Sequence, residues 1–305
     1  MKEQIGNVVL DYKNYEGVDL YSDGEIEDEI LDIVKTYSSV EYSQVIANRS
    51  KWPILYHLSP IRTNIIEWLP IEKTDSVLEI GAGCGAITGI LSDKAKKVTC
   101  IELSKKRSLI NAYRNQEKSN IEILVGNFEN IEVDLEKDYD YITLIGVYEY
   151  AESYIHTDEP YKDFLKIIAK HLKPGGTLVI AIENRLGLKY WAGCKEDHVG
   201  EYFEGIEGYT RTNGIKTFSK KELEEIVKKA GFNNFKFYYP YPDYKFPLAI
   251  YSDERLPKEG ELSQNMRNFD QDRIISFDES KVFDTLINND LFDIYSNSFL
   301  VILKS

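Results

Sequence analysis

Residues 76–91 read SVLEIGAGCGAITGIL. Ser76 to Ile80 fits a short buried strand, three glycines follow at Gly81, Gly83 and Gly85, and Ala86 to Ala95 returns to helical spacing. Glycines at such a junction let the backbone turn tightly and approach a ligand, and the next helix offers its free N–H groups. A glycine turn alone says little. Its companion is Glu102, which closes a second strand, Lys97 to Glu102. A carboxylate about 20 residues past the glycines can accept hydrogen bonds from both ribose hydroxyls of a nucleoside.

The alternation continues outward from this pair. Helical spacing covers Lys105 to Gln116 and Tyr161 to Leu172, the latter stopped by Pro174-Gly175-Gly176. Further strands read at Ile121 to Val125, Tyr141 to Gly146 and Thr177 to Ile182. Strand alternating with helix implies a mostly parallel α/β sheet. Residues 1–70 read as a helical N-terminal extension, with Ile26, Ile30, Ile33 and Val34 on one face and Pro53 and Pro60 restarting a helix over Trp52 to Leu69. Past the fifth strand, Glu183 to Asn213 is rich in loops. Ser219 to Ala230 is a helix with a capping box (Ser219, Glu222) and a Gly231 stop. Phe235 to Tyr239 and Phe299 to Leu303 are the last strands. The expected division is an extension over 1–70, a ligand-binding domain over 71–239 and 295–305, and an insertion over 240–294. The extension is expected as a cap and the insertion as a substrate cover, the two closing over the ligand edge of the sheet.

Which nucleoside is bound turns on Glu79. Gly81-x-Gly83-x-x-Ala86 also satisfies a dinucleotide fingerprint, so an NAD-dependent sugar oxidoreductase stands as an alternative. Glu79, two residues before the first glycine, would set an anion beside a pyrophosphate, whereas a cofactor bearing an ammonium and a sulfonium tolerates it.

VLEIGAGCGAITGIL (77–91), VTCIELS (98–104), ILVGNFENI (123–131), YITLIGVYEYA (141–151) and LKPGGTLVIAIEN (172–184) resemble, in order and spacing, the successive motifs of class I S-adenosylmethionine-dependent methyltransferases. The resemblance runs from about Trp52 to Phe237 and takes in the last strand. It implies a three-layer Rossmann-like fold with a seven-stranded sheet whose final strand is antiparallel. It implies S-adenosylmethionine as cofactor and S-adenosylhomocysteine as product. Glu79, Gly81, Ala82, Gly83 and Gly85 would flank the methionine moiety, Glu102 with Leu103 the ribose, and Asn127 and Phe128 the adenine. Many relatives have Asp at the position of Asn127; an amide oxygen can still accept from the adenine amino group. Gly146 and Tyr148 would form a shelf for the cofactor, and Arg62 would reach its carboxylate, although Arg62 reads equally well as a helix-surface residue.

Acceptor-side residues should follow the carboxyl ends of the strands. Glu149 follows the fourth strand, Glu183 and Arg185 the fifth, and Glu196, Asp197 and His198 the loop after it. His198 reads as a general base, since neutral imidazole takes a hydroxyl proton near pH 7, with Glu183 next in line. Glu183 and Arg185 read equally well as an ion pair, and Asp243 with Lys245 either as rim contacts or as a turn set by Pro240, Pro242 and Pro247. Residues 182–200 (IENRLGLKYWAGCKEDHVG) and 239–247 (YPYPDYKFP) resemble a bacterial subgroup associated with surface-glycan genes.

The expected activity is methyl transfer to a hydroxyl of a sugar, glycan precursor or other small metabolite. The alternatives are a non-catalytic S-adenosylmethionine-binding scaffold and the oxidoreductase above. In 305 residues the formal net charge is −14, which argues against a nucleic-acid partner. No apolar run reaches the length of a membrane span. Cys84, Cys100 and Cys194 are scattered, as are four histidines, so neither disulfides nor a metal site is expected, and the location expected is cytoplasmic. The acceptor and the oligomeric state are not legible.

Overall fold

The structure, a computed structural model, describes residues 1–19, 22–264 and 272–305. Residues 265–271 of the expected insertion therefore lie outside the described residues. The strands are β1 (Lys2–Ile5), β2 (Val8–Asn14), β3 (Ser76–Ile80), β4 (Lys97–Glu102), β5 (Ile121–Gly126), β6 (Tyr139–Ile145), β7 (Leu172–Glu183), β8 (Asn234–Tyr241), β9 (Ala249–Ser252) and β10 (Ser298–Lys304). The chain forms two compact units, Met1–Leu144 with Ile168–Leu178 and Ser305, and Ile145–Ile167 with Val179–Lys304. It passes from one to the other within β6 and β7.

In the first unit the strand order is β1-β2-β5-β4-β3-β6. β3 is parallel to β4 and β6, with Glu79 opposite Cys100 and Thr143. Its residues Val77 to Ile80 are buried, the pattern of a strand covered on both faces. In the second unit the order is β7-β10-β8-β9, and β10 runs antiparallel to β8, with Val301 opposite Phe237. The last strand is thus antiparallel to its neighbour β8.

Among the described residues ten strands stand where seven were expected. The first residues form a β1–β2 hairpin rather than helix, and β2 pairs in parallel with β5 (Val9 opposite Glu122). Val8 and Leu10 are buried at period two, and Gly6 turns the hairpin at φ +56°. β9 adds the third extra strand, antiparallel to β8. At Pro174 the helix has already ended at Ala169, and the strand β7 runs through the Pro-Gly-Gly sequence, with Gly175 at φ +78°.

The helix Ile26–Thr36 buries Ile30, Ile33 and Val34. They join Tyr42, Val45, Ile54, Leu58, Cys84 and Ile110 in one core cluster. Each such side chain contributes about 1.5–3 kcal/mol on burial. The N-terminal helices thus pack on Cys84 in the glycine loop and on the helix Lys105–Arg114. Among the described residues no helix is long and apolar enough to cross a membrane.

Candidate active site

The glycine loop is held by its neighbours. Gly81 and Ala82 donate their N–H groups to the Ile101 carbonyl at 2.9 and 3.2 Å, and Gly85 donates to the Ala82 carbonyl. All three glycines have positive φ (71°, 53° and 74°), a region costly for residues with a Cβ. Their surroundings differ. A Cβ at Gly85 would lie 2.3 Å from Asn111 Oδ1, so Gly85 exists for close packing on the helix. A Cβ at Gly83 would meet nothing within 4 Å, so Gly83 faces open space.

Glu102 is buried and ties the strand to the loop: Oε2 accepts the Gly83 N–H at 2.7 Å and Oε1 the Ser104 N–H at 2.9 Å. Burial pushes its carboxyl upward, opposed by those N–H groups and by Arg107. Leu103 beside it is half-buried. Glu79 accepts from Thr88 Oγ1 at 2.6 Å and from Cys100 Sγ at 3.5 Å, and burial raises its pKa to about 7. Arg62 is buried, stacks on Tyr56 at 4.1 Å, and leaves Nη1 without a partner. Asn127 caps the helix Phe128–Glu132 through Oδ1, and Phe128 is buried.

A second constellation lies in the second unit. His198 Nδ1 is 3.0 Å from Glu196 Oε1, and its Nε2 is 3.1 Å from Glu149 Oε1 and 3.6 Å from Glu183 Oε2. Glu196 is fixed in turn by the N–H groups of His198 and Val199, both at 2.7 Å, and by Tyr209 Oη. Lys245 Nζ bonds Glu183 Oε1 and, at 2.7 Å, Asp197. Lys189 Nζ lies 2.6 Å from Asp243 and 2.8 Å from Asp197. Glu149, Glu183, Lys189, Glu196 and Asp243 are at most 1% exposed, burial that charged groups tolerate only when paired. Two oxygens escape the pairing: Glu149 Oε2 and Glu183 Oε2 are buried without a hydrogen-bond partner.

His198 sits among these carboxylates. Burial alone would lower its pKa, but the Glu183 charge and the hydrogen bonds to Glu149 and Glu196 outweigh it and hold the imidazole well above its ordinary value. Asp197 lies well below the ordinary carboxylate range; the ammoniums of Lys189 and Lys245 overcome the opposing effect of burial.

Comparison with known proteins decides the family. A family described as "Methyltransferase domain" matches residues 56–236, more than half of the chain. The chain belongs to this methyltransferase family. It is 32% identical over 139 residues to "Ribosomal RNA small subunit methyltransferase A" of Fusobacterium nucleatum, covering 40% of this chain and 52% of that one. It thus spans about half the length of that relative. It is 27% identical over 184 residues to "Ubiquinone biosynthesis O-methyltransferase" of Rickettsia canadensis, covering 58% and 73% of the two chains. A solved "SAM dependent methyltransferase" from Archaeoglobus fulgidus aligns with TM-score 0.48 and 14% identity, covering 80% of this chain and 93% of that one.

The cofactor of this methyltransferase is S-adenosylmethionine, and residues of the first unit fit it. The space beside Gly83 accommodates a ligand against the backbone. The buried Glu102 carboxylate, already held by backbone N–H groups, is the type of acceptor a ribose hydroxyl requires. The unpartnered Nη1 of Arg62 is the donor that a carboxylate requires.

Other expected residues of the methyltransferase have different surroundings. Tyr148 is fully buried; its hydroxyl donates to the Tyr161 carbonyl at 2.8 Å and its ring packs on Phe164 and Phe218. Gly146 sits at φ +69°, where a Cβ would lie 2.7 Å from Tyr244 Oη. Arg185 and Glu183 do not pair with each other: Arg185 bonds the Gly205 carbonyl and Glu222, both at 2.9 Å. Asp243 and Lys245 are not rim residues but lie inside the cluster. Glu149, Glu183 and His198, all expected on the acceptor side, meet directly, each with a ligand-type atom within 4.8 Å of the others. Lys189 was missed altogether; its position within the loop motif was the available signal.

Proposed function

We propose that the chain transfers a methyl group from S-adenosylmethionine to a hydroxyl of a small acceptor, in the first place a sugar or glycan precursor. The observation that carries this reading is the pair of buried, unpartnered carboxylate oxygens, Glu149 Oε2 and Glu183 Oε2. Buried acceptors without donors are costly unless a ligand supplies donors, and a polyol does so. Glu149 and Glu183 then orient the hydroxyl oxygen. As the new O–C bond forms, the C–S bond breaks, its electron pair stays on sulfur, and the hydroxyl proton passes to the carboxylate pair. In-line transfer from a sulfonium depends chiefly on proximity and orientation; within the second unit Lys189 and Lys245 hold Asp197 and Glu183 in place.

His198 is read as a positioning residue that holds Glu149 and Glu183, supported by its contacts with both. The curated relatives include both an O-methyltransferase and a ribosomal RNA enzyme. The net charge of −14 favours the small acceptor over RNA. The test is an assay with methyl-labelled cofactor against nucleotide sugars, glycans and ribosomal RNA. Label on a carbohydrate oxygen supports the reading, and label on RNA alone refutes it.

A further inference from the structure

We propose that Glu149, Glu183 and His198 form a site for one divalent cation of intermediate hardness, such as Mn²⁺. Two carboxylates and one imidazole are ligands such ions accept together. Metal–oxygen and metal–nitrogen bonds of about 2.0–2.2 Å put neighbouring ligand atoms roughly 3.0–3.5 Å apart. Here His198 Nε2 stands 3.1 Å from Glu149 Oε1 and 3.6 Å from Glu183 Oε2, and all three atoms lie within 4.8 Å of one another.

Three further observations point to a cation. Glu183 Oε2, the oxygen facing His198, is buried with no hydrogen-bond partner, while its companion oxygen is held by Lys245. Glu196 receives the Nδ1 side of the imidazole at 3.0 Å. Such a carboxylate behind a histidine fixes the tautomer that turns the other nitrogen toward a metal. Finally, among the described residues, Glu149, Glu183, Glu196, Asp197 and Asp243 face two ammoniums, Lys189 and Lys245, and one imidazole. A divalent cation offsets that surplus of buried negative charge. His198, with 7% of its side chain exposed, is the most exposed of the three.

The site itself stands on this geometry; its task, to gather acceptor hydroxyls around the cation, rests on the reading above. With the cation on Glu149 Oε1 and Glu183 Oε2, Glu149 Oε2 stays open to accept a hydroxyl proton.

The test is titration of the chelator-treated full chain with Mn²⁺, followed by the loss of the free-ion electron paramagnetic resonance signal and by thermal unfolding. The expected result is one saturable Mn²⁺ per chain and a raised melting temperature. Glu183→Gln and Glu149→Gln should each abolish or weaken binding by at least about tenfold, and Glu196→Gln by about 10–100-fold. Circular dichroism identifies any variant that fails to fold, and Glu196→Gln, outside the triad, serves as the second arm. No saturable binding to the wild type, or equal binding by the folded variants, overturns the site. Mn²⁺ binding without methylation of any hydroxyl acceptor would sink the functional reading and leave the site standing. Full hydroxyl methylation in excess EDTA, with no Mn²⁺ binding, would do the reverse.

Discussion

His198 turns Nδ1 to Glu196 Oε1 at 3.0 Å and thereby presents Nε2 to Glu149 and Glu183. Removing the ring leaves buried carboxylates facing one another. His198→Ala is therefore expected to lower stability by about 3–5 kcal/mol in the presence of a chelator, the cost of stripping a partner from a buried charge cluster. Chemical denaturation checks this. An unchanged unfolding midpoint would mean that the cluster does not depend on the imidazole.

Glu102 holds both Gly83 and Ser104 and is the type of acceptor a ribose hydroxyl requires. Glu102→Ala should weaken S-adenosylmethionine binding by about tenfold or more, through lost charge-assisted bonds. Arg62→Met should weaken it comparably, while a cofactor analogue without the carboxylate should bind both forms alike. Calorimetry with the two ligands separates these effects; equal loss for both ligands would remove Arg62 from the carboxylate.

The glycines predict a contrast. Gly85→Ala places a Cβ 2.3 Å from Asn111 Oδ1 and should lower the melting temperature markedly. Gly83→Ala meets no neighbour, so its stability cost should be the backbone strain alone, about 1–2 kcal/mol. Its larger effect should fall on cofactor affinity. If Gly83→Ala binds the cofactor as the wild type does, the space beside Gly83 is not the binding face.

Glu79 supplies a pH signature. Its pKa is raised by burial from 4.5 to about 7. A carboxyl raised in the folded state favours folding while protonated, so this contribution is full below about pH 4.5 and is lost as pH rises through about 7. The loss is on the order of 3 kcal/mol, from roughly 1.4 kcal/mol per pH unit. Glu79→Gln, which stays neutral, should flatten stability over this window. An unaltered slope in denaturant titrations would show that Glu79 is not the group responsible.

What the sequence revealed follows from range. Ser76 to Ile80, the glycines and Glu102 are a local pattern, and strand, turn and partner carboxylate all lie where spacing puts them. The β1–β2 hairpin was missed because Lys2 to Ile5 is short and polar, and only its pairing partner makes it a strand. The Pro-Gly-Gly stop was misplaced because β7 continues through it, its burial beginning again at Gly176-Thr177 outside any helical period. The acid cluster was not legible as a cluster. Glu149 and His198 are 49 residues apart, and only the tertiary fold joins them. For the same reason Lys245 read only as a rim contact or part of a proline-set turn: nothing local shows that it meets Glu183, 62 residues away.

Hydroxyl methylation by this chain can be read in one measurement. The full chain is incubated with S-adenosylmethionine carrying a ¹³C-labelled methyl group, a panel of nucleotide sugars and glycans, and Mn²⁺, and the products are read by nuclear magnetic resonance. The account predicts a new methoxyl carbon on a carbohydrate, formed in step with S-adenosylhomocysteine and reduced by about 10²–10⁴-fold when both Glu149 and Glu183 are changed to Gln. Label appearing only on nitrogen, on carbon or on RNA, or methoxyl product formed equally well by the double variant, would contradict it.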